Sequence, residues 1–441
     1  MESITEVEDE TFINGIYGLD NLGNTCYLNS IIQTLANINL FRKFLLDNKY
    51  LDFFMHKIDS TNHYENQSFS NLISKSNDSE NQNSDLKIKL HKLYDSPIYQ
   101  FYRLINTIWT GSVDSESLKP TTLKRKLGQK NIMFKLSQQQ DAQEAFTILI
   151  EMMHMEIAQN ISINNDLDTL DPLQKACITF WSKEYSPLYE IFHGMYLNTR
   201  ICSGCNHISN EYNPNLFLGL DIPLKKTMEN LYDSFNITNY IDINCKINSI
   251  SIESKIKEEM CKLLDEKTIN LIKEKHLVIS NYNSKYDIYE CIQDFCSEKI
   301  IEDVKCPGCN NKCTCSSKTE LVIPPKVLCV HIKRFGQGCF PSSNLFESNN
   351  LNKRNNHITF PIDLDISSIL SKNLDSNKYK YKLKSVINHS GASLNFGHYY
   401  TSAYSSIHEK WYNFNDDIVM EISESQICTT NAYLLFYEID N

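Results

Sequence analysis

A cysteine at the end of a polar, glycine-punctuated loop is the residue of this chain best placed to do covalent chemistry. Cys26 ends the loop of residues 18–25, and after it apolar residues recur at three- and four-residue steps as far as Ile38. That period predicts a helix with one buried face and places Cys26 at or near its N-terminus. Unpaired backbone N–H groups and the helix dipole favour a thiolate there. The pattern indicates a nucleophile, with a buried free cysteine beside a loop as the alternative.

A thiolate that attacks an acyl group needs a base, a partner that orients the base, and donors for the oxyanion. Asn21 lies five residues before the cysteine and offers a side-chain amide as an oxyanion donor. His398 follows a glycine-bearing loop at the start of a predicted strand, and a strand, a turn and a returning strand bring Asn415 or Asp416 to its imidazole. His389 is the rival histidine, and we interpret it as a loop residue that makes hydrogen bonds.

The metal signal of the sequence consists of two C-x2-C pairs, Cys202 with Cys205 and Cys306 with Cys309. Each pair has the knuckle spacing that presents two thiolates to one tetrahedral zinc ion. The pairs are 101 residues apart (306 − 205), so one site must join two distant segments. Four thiolates leave no open position, and the predicted zinc is therefore structural. Cys313 and Cys315 are rival ligands.

Two acidic residues lie three apart in a strongly periodic segment. Residues 136–155 predict a helix that Ser137 can cap, and within it Asp141 and Glu144 fall on one face. A solvated acidic face near a helix N-terminus is the simplest interpretation. Recognition of a basic peptide is the functional alternative.

Composition restricts the class of protein and its partners. The chain has 441 residues, 41% of them hydrophobic, and a formal net charge of −11, which indicates a packed, multi-lobed globular protein whose main partner is not nucleic acid. We find no N-terminal signal segment and no apolar run long enough to span a bilayer, so no membrane association is expected. With 15 cysteines, we expect a reducing compartment, cytoplasmic or nuclear.

Helix signals precede strand signals along the chain. Helices are predicted from the cysteine to Ile38, at 98–109, from Thr121 and at 136–155. Strands are predicted at 194–201, 215–222, 320–335, 379–389, 398–404, 410–415 and 432–438. Residues 56–85 are interpreted as a mobile loop, and 225–285 as an inserted helical or partly disordered segment. Helices followed by a largely antiparallel sheet make an α+β fold.

These blocks together resemble the ubiquitin-specific proteases, the papain-like cysteine deubiquitinases. Residues 18–30 look like the cysteine box of that family, and 397–399 with 411–417 look like its histidine box. The segments 139–144, 330–335 and 432–437 and the two cysteine knuckles also match, in the family's order. The resemblance runs from Ile16 to Glu438.

The resemblance implies a papain-like architecture of thumb, palm and fingers. A helical thumb is expected at about 16–190, zinc-binding fingers at about 196–320, and a β-rich palm at about 321–439, after an acidic tail at 1–15. Residues 225–285 and 336–357 exceed the usual connections of the family. Cys313 and Cys315 lie where the family has no ligand.

The resemblance also implies the site and the reaction. Cys26 becomes the nucleophile, His398 the general base and acid, Asn415 the third member with Asp416 as its support, and Asn21 the oxyanion donor. Asp141, Glu144, His389, Gly397 and Tyr399 are the expected contacts of the ubiquitin tail, and Cys202, Cys205, Cys306 and Cys309 the zinc ligands.

The implied activity is hydrolysis of the peptide or isopeptide bond after the terminal glycine of ubiquitin in protein conjugates. An unidentified activator or targeting partner is compatible with that activity. A ubiquitin-binding scaffold without turnover, and a protease for another ubiquitin-like modifier, are the two alternatives.

Overall fold

The structure is a computed structural model that describes residues 14–60, 84–111, 118–161, 169–223, 285–335, 353–393 and 396–440. Its helices are α1 (Cys26–Asn37), α2 (Asn39–Leu46), α3 (Lys49–Ser60), α4 (Ser84–Tyr94), α5 (Pro97–Thr110), α6 (Thr121–Lys130), α7 (Ala142–Ile157), α8 (Pro172–Lys183), α9 (Pro187–Phe192) and α10 (Ile288–Cys296). Its strands are β1 (Gly194–Cys202), β2 (Ile208–Asn215), β3 (Phe217–Asp221), β4 (Tyr286–Asp287), β5 (Lys299–Lys305), β6 (Lys312–Ile323), β7 (Val327–Lys333), β8 (Ile358–Thr359), β9 (Asp363–Asp365), β10 (Lys380–Ser393), β11 (Phe396–Ser405), β12 (Lys410–Asn415), β13 (Ile418–Ile422) and β14 (Ala432–Ile439). Helices come first and strands later, as the α+β prediction requires.

Helix α1 lies at the centre of the helical part. All of its residues are buried, because it packs against α2, α5 and α7 on one side and against β10 and β11 on the other. Its apolar residues Leu28, Ile31 and Leu35 enter the core between the helices and the large sheet. A helix enclosed in this way holds its first residue, Cys26, at a fixed point between the helical part and the strands.

The larger sheet has the strand order β13-β12-β11-β10-β14-β7-β3, with β9 paired to β10. Its pairs are antiparallel except β3 with β7, which confirms the largely antiparallel prediction. Residues 327–330 of β7 are all apolar because both faces of the strand are covered there. Cys329 packs toward the helices, whereas Leu328 and Val330 enter a second core that contains α10.

A second sheet, of order β2-β1-β6-β5, carries the cysteine knuckles. The turns β1–β2 and β5–β6 meet at one end of this sheet, because β1 and β6 are antiparallel and Cys202 pairs with Cys315. Two segments about a hundred residues apart in the chain are therefore joined, as the spacing of the cysteine pairs predicts. This sheet corresponds to the expected fingers.

Two local predictions were wrong. Helix α7 begins at Ala142, and its N-cap is Asp141 rather than Ser137. The Asp141 carboxylate accepts the backbone N–H of Gln143, while the Ser137 carbonyl accepts from Asn24 in the loop before α1. His389 lies in β10 and not in a loop, since the pairing of β10 with β11 continues past it to Ser390 and Ser393.

Several predictions concern residues outside the described part of the chain. These are the acidic tail as far as residue 13, most of the polar stretch 56–85, the insertion 225–284, and 336–352 of the segment 336–357. Among the residues that the structure describes, none of the helices combines the length and the apolar character needed to span a membrane.

Candidate active site and metal centre

Cys26 is the first residue of α1, as the sequence predicts, and its side chain is buried. The loop before it turns sharply, with Gly23 at φ 92° and Asn24 at φ 52°. The backbone N–H of Leu22 donates to the Thr25 hydroxyl at 2.8 Å, which closes this turn. Thr25 is the N-cap and its side chain makes no capping bond to the helix. The Leu28 N–H donates to the Thr25 carbonyl at 2.9 Å, which leaves the N–H groups of Cys26 and Tyr27 beside the thiol.

His398 lies in β11 and faces both the cysteine and the end of the next strand. Its Nε2 is 2.5 Å from Oδ1 of Asn415, the last residue of β12. The hydrogen bond to Cys26 is the main cause that raises the His398 pKa to about 9, and the bond to Asn415 raises it further against the effect of burial. The next backbone N–H, that of Tyr399, donates to the Cys26 sulfur at 3.5 Å. The structure thus brings together the three residues of the predicted triad.

Asp416 follows Asn415 in a tight turn, at φ 53°. Its hydrogen bonds connect the palm to the loop that precedes Cys26. Its Oδ2 accepts from the Asn21 amide at 2.9 Å and lies 3.8 Å from Nε2 of His398. Its backbone carbonyl accepts from the N–H of Leu19 at 2.8 Å. Gly18 passes so close to the next residue that an added Cβ would lie 2.3 Å from the Asp417 carbonyl oxygen. Asn21 has two amide hydrogens and donates one of them to Asp416 in this hydrogen bond.

Asn29 belongs to this network but was not singled out in the sequence. Its Nδ2 donates to Oδ1 of Asp416 at 2.8 Å and also lies 3.2 Å from the carbonyl of Asp20. Asn29 is one helical step after Cys26, at i+3, so the predicted helix would have placed it on the same side as the nucleophile. The amide side chain of Asn29, on the side of the predicted helix that carries Cys26, was the sequence signal that could have identified it.

The two acidic residues of the predicted peptide contact have different surroundings. The Asp141 carboxylate caps α7 and accepts the Tyr433 hydroxyl at 2.9 Å, and its burial raises its pKa. Glu144 is exposed and accepts from the Asn131 amide at 3.0 Å. Asp141 is therefore not part of a solvated acidic face, whereas Glu144 is open to a ligand.

Three more expected substrate contacts cluster beside His398. His389 is buried, its pKa is lowered to about 4 by that burial, and within the described residues neither ring nitrogen makes a hydrogen bond. An added Cβ on Gly397 would lie 2.4 Å from its Nε2, and the Tyr399 ring meets it edge to face at 4.7 Å. The Gly397 carbonyl accepts from the Gln139 side chain across the interface of helical part and palm. Tyr399 is buried, and its backbone N–H contacts the thiol.

The two knuckles have the same local structure. In each, a backbone N–H four residues after the first cysteine donates back to its carbonyl at 2.9 Å, from Asn206 to Cys202 and from Asn310 to Cys306. Both asparagines follow the second cysteine of the pair with φ 57°. Asparagine tolerates this left-handed conformation better than most residues. Each C-x2-C-N sequence therefore closes a tight turn that directs two thiols to one side.

The four knuckle thiols form a group that could hold a metal ion. The sulfurs of Cys202, Cys205, Cys306 and Cys309 all lie within 4.8 Å of one another, and those of Cys205 and Cys306 are 3.6 Å apart. Four sulfurs around a tetrahedral ion at about 2.3 Å are separated by about 3.8 Å. The donor set and its spacing therefore fit a four-coordinate site for a thiophilic ion.

The sequence of this chain is similar to those of proteins named ubiquitin carboxyl-terminal hydrolase. A bovine ubiquitin carboxyl-terminal hydrolase 2 is 26% identical over 437 residues, covering 96% of this chain and 55% of its own length. A probable ubiquitin carboxyl-terminal hydrolase, R319, from Acanthamoeba polyphaga mimivirus is 25% identical and covers 99% of this chain and 93% of its own. This chain thus spans about half the length of the bovine relative.

Solved structures show the same fold. A chain of the SAGA DUB module Ubp8/Sgf11/Sus1/Sgf73 bound to monoubiquitin superposes with a TM-score of 0.59 at 20% identity, over 99% of this chain and 72% of that one. The same module bound to ubiquitin aldehyde gives 0.57 at 19% identity, with coverage of 99% and 72%. The family model described as ubiquitin carboxyl-terminal hydrolase matches residues 17–437. Because that match spans nearly all of the chain, this protein belongs to the ubiquitin carboxyl-terminal hydrolase family.

Proposed function

We propose that this protein is a thiol-dependent deubiquitinase that hydrolyses the bond after the C-terminal glycine of ubiquitin. The observation that carries the proposal is the contact of His398 with both Cys26 and Asn415, because a cysteine protease needs this base, nucleophile and orienting group together. Because the chain belongs to the ubiquitin carboxyl-terminal hydrolase family, we take the acyl group to be the C-terminal glycine of ubiquitin. The mimivirus relative, of which this chain covers 93%, is also named as a probable ubiquitin carboxyl-terminal hydrolase.

The first half of the reaction is acyl transfer to the cysteine. The Cys26 thiolate attacks the carbonyl carbon of the terminal glycine, and the carbonyl electrons move to oxygen. The imidazolium of His398 then gives its proton to the lysine amine as the carbon–nitrogen bond breaks. Since Nε2 is engaged by Asn415, Nδ1 is the ring nitrogen left for the thiol and the amine. The product is a thioester between ubiquitin and Cys26.

The second half reverses the roles. Neutral His398 takes a proton from water, the hydroxide attacks the thioester carbonyl, and the sulfur leaves as a thiolate. In both halves the oxyanion needs donors, and the N–H groups of Cys26 and Tyr27 at the start of α1 and the second amide hydrogen of Asn21 supply them. Removal of one such donor costs on the order of a hundredfold or more in rate.

The tail of ubiquitin approaches the thiol between the helical part and the palm. The carboxylate of Glu144 is exposed at the start of α7, and we assign it the binding of a basic side chain of the tail. A side chain at Gly397 would clash with His389. Because position 397 is a glycine, no side chain projects from it toward the tail. We assign Asp141 the role of fixing the start of α7 through Tyr433 rather than direct binding of the tail.

Zinc is the proposed ion of the thiol group in the fingers. Four cysteine sulfurs at near-tetrahedral spacing are the donor set of structural zinc. The ion would hold the β1–β2 and β5–β6 turns together. A purified protein should contain about one zinc per chain, measured by elemental analysis.

The partners and compartment follow from the same proposal. Ubiquitin and ubiquitinated proteins are the substrates, in the cytoplasm or nucleus. The SAGA DUB structures that superpose on this chain contain further subunits beside Ubp8, so we also propose an activating or targeting partner.

The test is release of a fluorophore from the C-terminus of ubiquitin by purified protein. We expect turnover by the native chain and none by Cys26→Ser or His398→Ala, since each change removes one reacting group. Binding of unmodified ubiquitin by the Cys26→Ser variant is the control for folding. Binding by the native chain without turnover would contradict the proposal and leave the scaffold alternative.

A further inference from the structure

The cysteine group in the fingers contains more sulfur than one tetrahedral ion can use. Cys313 and Cys315 follow the second knuckle at the start of β6. As residues two apart in a strand, they point to the same face of the sheet, and both pack in the cluster that holds the knuckle thiols. The zinc proposal uses four thiols and leaves these two without a role.

Cys313 lies close to one member of the quartet, Cys309. Its sulfur is 3.7 Å from that of Cys309, which matches the separation of about 3.8 Å between two thiolates on one zinc ion. It also approaches the first knuckle. A Cβ added to Gly204 would lie 3.4 Å from the Cys313 sulfur and 3.8 Å from that of Cys202. Cys313 therefore lies between the two knuckles, beside the place of the ion.

Cys315 occupies a different position. It is buried and is paired in register with Cys202 across β1 and β6. Cys309 and Cys313 are both partly exposed at the open edge of the cluster. An exchange of ligand between these two needs no opening of a core, and the turn between them is only three residues long.

We propose that Cys313 is a fifth ligand that exchanges with Cys309 on the same zinc ion. Three thiolates, from Cys202, Cys205 and Cys306, stay bound, and the fourth position is taken by either thiol of the second turn. This inference rests on the zinc site proposed above. It adds that the site keeps its ion when either of the two exchanging thiols is lost.

Zinc content of variants is the first test. We expect Cys309→Ser and Cys313→Ser each to keep about one zinc per chain after dialysis against a chelator, and the double variant to lose it at least about tenfold faster. Cys309→Ser with Cys315→Ser is the matched control and should keep zinc, because Cys313 remains. Loss of zinc from Cys309→Ser alone would overturn the proposal, and a native chain without zinc would overturn the site itself.

Limited alkylation of the native, zinc-loaded protein tests the exchange without any variant. Iodoacetamide should modify Cys309 in some chains and Cys313 in others, and fragments that hold both residues should carry one label. The other three ligands should stay protected. Labelling of Cys313 in every chain with Cys309 always protected would show a fixed quartet and contradict the exchange.

Discussion

The Asn21 amide donates to the Asp416 carboxylate at 2.9 Å across 395 residues of sequence. Asn21 lies in the loop before the proposed nucleophile, and Asp416 follows Asn415, the proposed third member of the triad, in the palm. The same carboxylate accepts from Asn29 through its other oxygen at 2.8 Å. Asp416 therefore connects the proposed oxyanion donor, the helix that begins with the proposed nucleophile, and the palm.

We expect the loss of Asp416 to act through Asn21. Asp416→Asn keeps the size of the side chain but turns an NH2 group toward one of the two amide donors, so it should lower kcat, and Asp416→Ala should lower it more. The change Asn21→Ala should cost about a hundredfold or more. If Asp416 positions Asn21, the double variant Asn21→Ala with Asp416→Ala will be little worse than the single ones. Additive losses would show independent roles.

The raised pKa of His398, about 9, predicts the alkaline limit of activity. The imidazolium is the acid for the leaving amine, so kcat/KM should fall as pH rises through about 9. Asn415→Ala removes one cause of the raised pKa and should move this limb to lower pH, whereas Asn415→Asp should move it to higher pH. The pH profile of fluorophore release measures both. An unchanged limb in both variants would contradict the assignment of His398.

The same titration predicts a stability effect with a definite sign. The folded state holds the proton of His398 more tightly than the unfolded chain, whose ordinary histidine value is 6.5. The contribution is complete below about pH 6.5 and is lost as pH rises through about 9. Cys26→Ser, which removes the main partner, should reduce this dependence in thermal unfolding measured across that range.

Gly18→Ala tests the close contact between the cysteine loop and the palm. The added Cβ would lie 2.3 Å from the Asp417 carbonyl oxygen, beside the hydrogen bond from the Leu19 N–H to the Asp416 carbonyl. We expect a loss of about 1 to 3 kcal/mol in stability and a fall in kcat. Gly219→Ala is the control, since its Cβ meets only the flexible end of Lys333. Equal behaviour of the two variants would refute this role of Gly18.

Substitution of the two acidic residues at the start of α7 should have different effects. Loss of Asp141 should lower stability, and loss of the Glu144 charge should weaken binding of ubiquitin. Asp141→Ala removes the N-cap and should lower the free energy of unfolding by about 1 to 2 kcal/mol. Glu144→Gln should leave stability unchanged and raise KM for ubiquitin substrates by about two- to fivefold, the size of an exposed ion pair. Denaturant unfolding and steady-state kinetics of both variants measure the separation. A KM effect confined to Asp141→Ala would reverse the assignment.

The elements of this fold were predictable where one face is apolar and one period dominates. Helix α1 was predicted nearly to its ends because its apolar residues recur at three- and four-residue steps, and strand β12 was predicted with the bounds that the structure shows. The start of α7 was missed because Ser137 and Asp141 are both good caps by type, and only the structure shows that the Asp141 carboxylate accepts the Gln143 N–H.

The candidate site was predictable in its residues but not in its connections. Cys26 and His398 were singled out by residue type and position, and Asn415 was preferred to Asp416 only through the resemblance to the family. The structure brings these three residues together. The bonds of Asp416 to Asn21 and Asn29 depend on how distant segments meet, which no local pattern contains. The burial of His389 is of the same kind, since β10 extends past the residue where its apolar pattern stops.

The most direct test of the central claim uses ubiquitin that carries an electrophile at its C-terminus. The chain has 15 cysteines, so the site of the covalent bond distinguishes a single activated thiol from general reactivity. We predict one adduct, mapped by mass spectrometry to Cys26, which forms far more slowly in His398→Ala. An adduct at another cysteine, or no adduct in a protein that binds ubiquitin, would contradict Cys26 as the nucleophile.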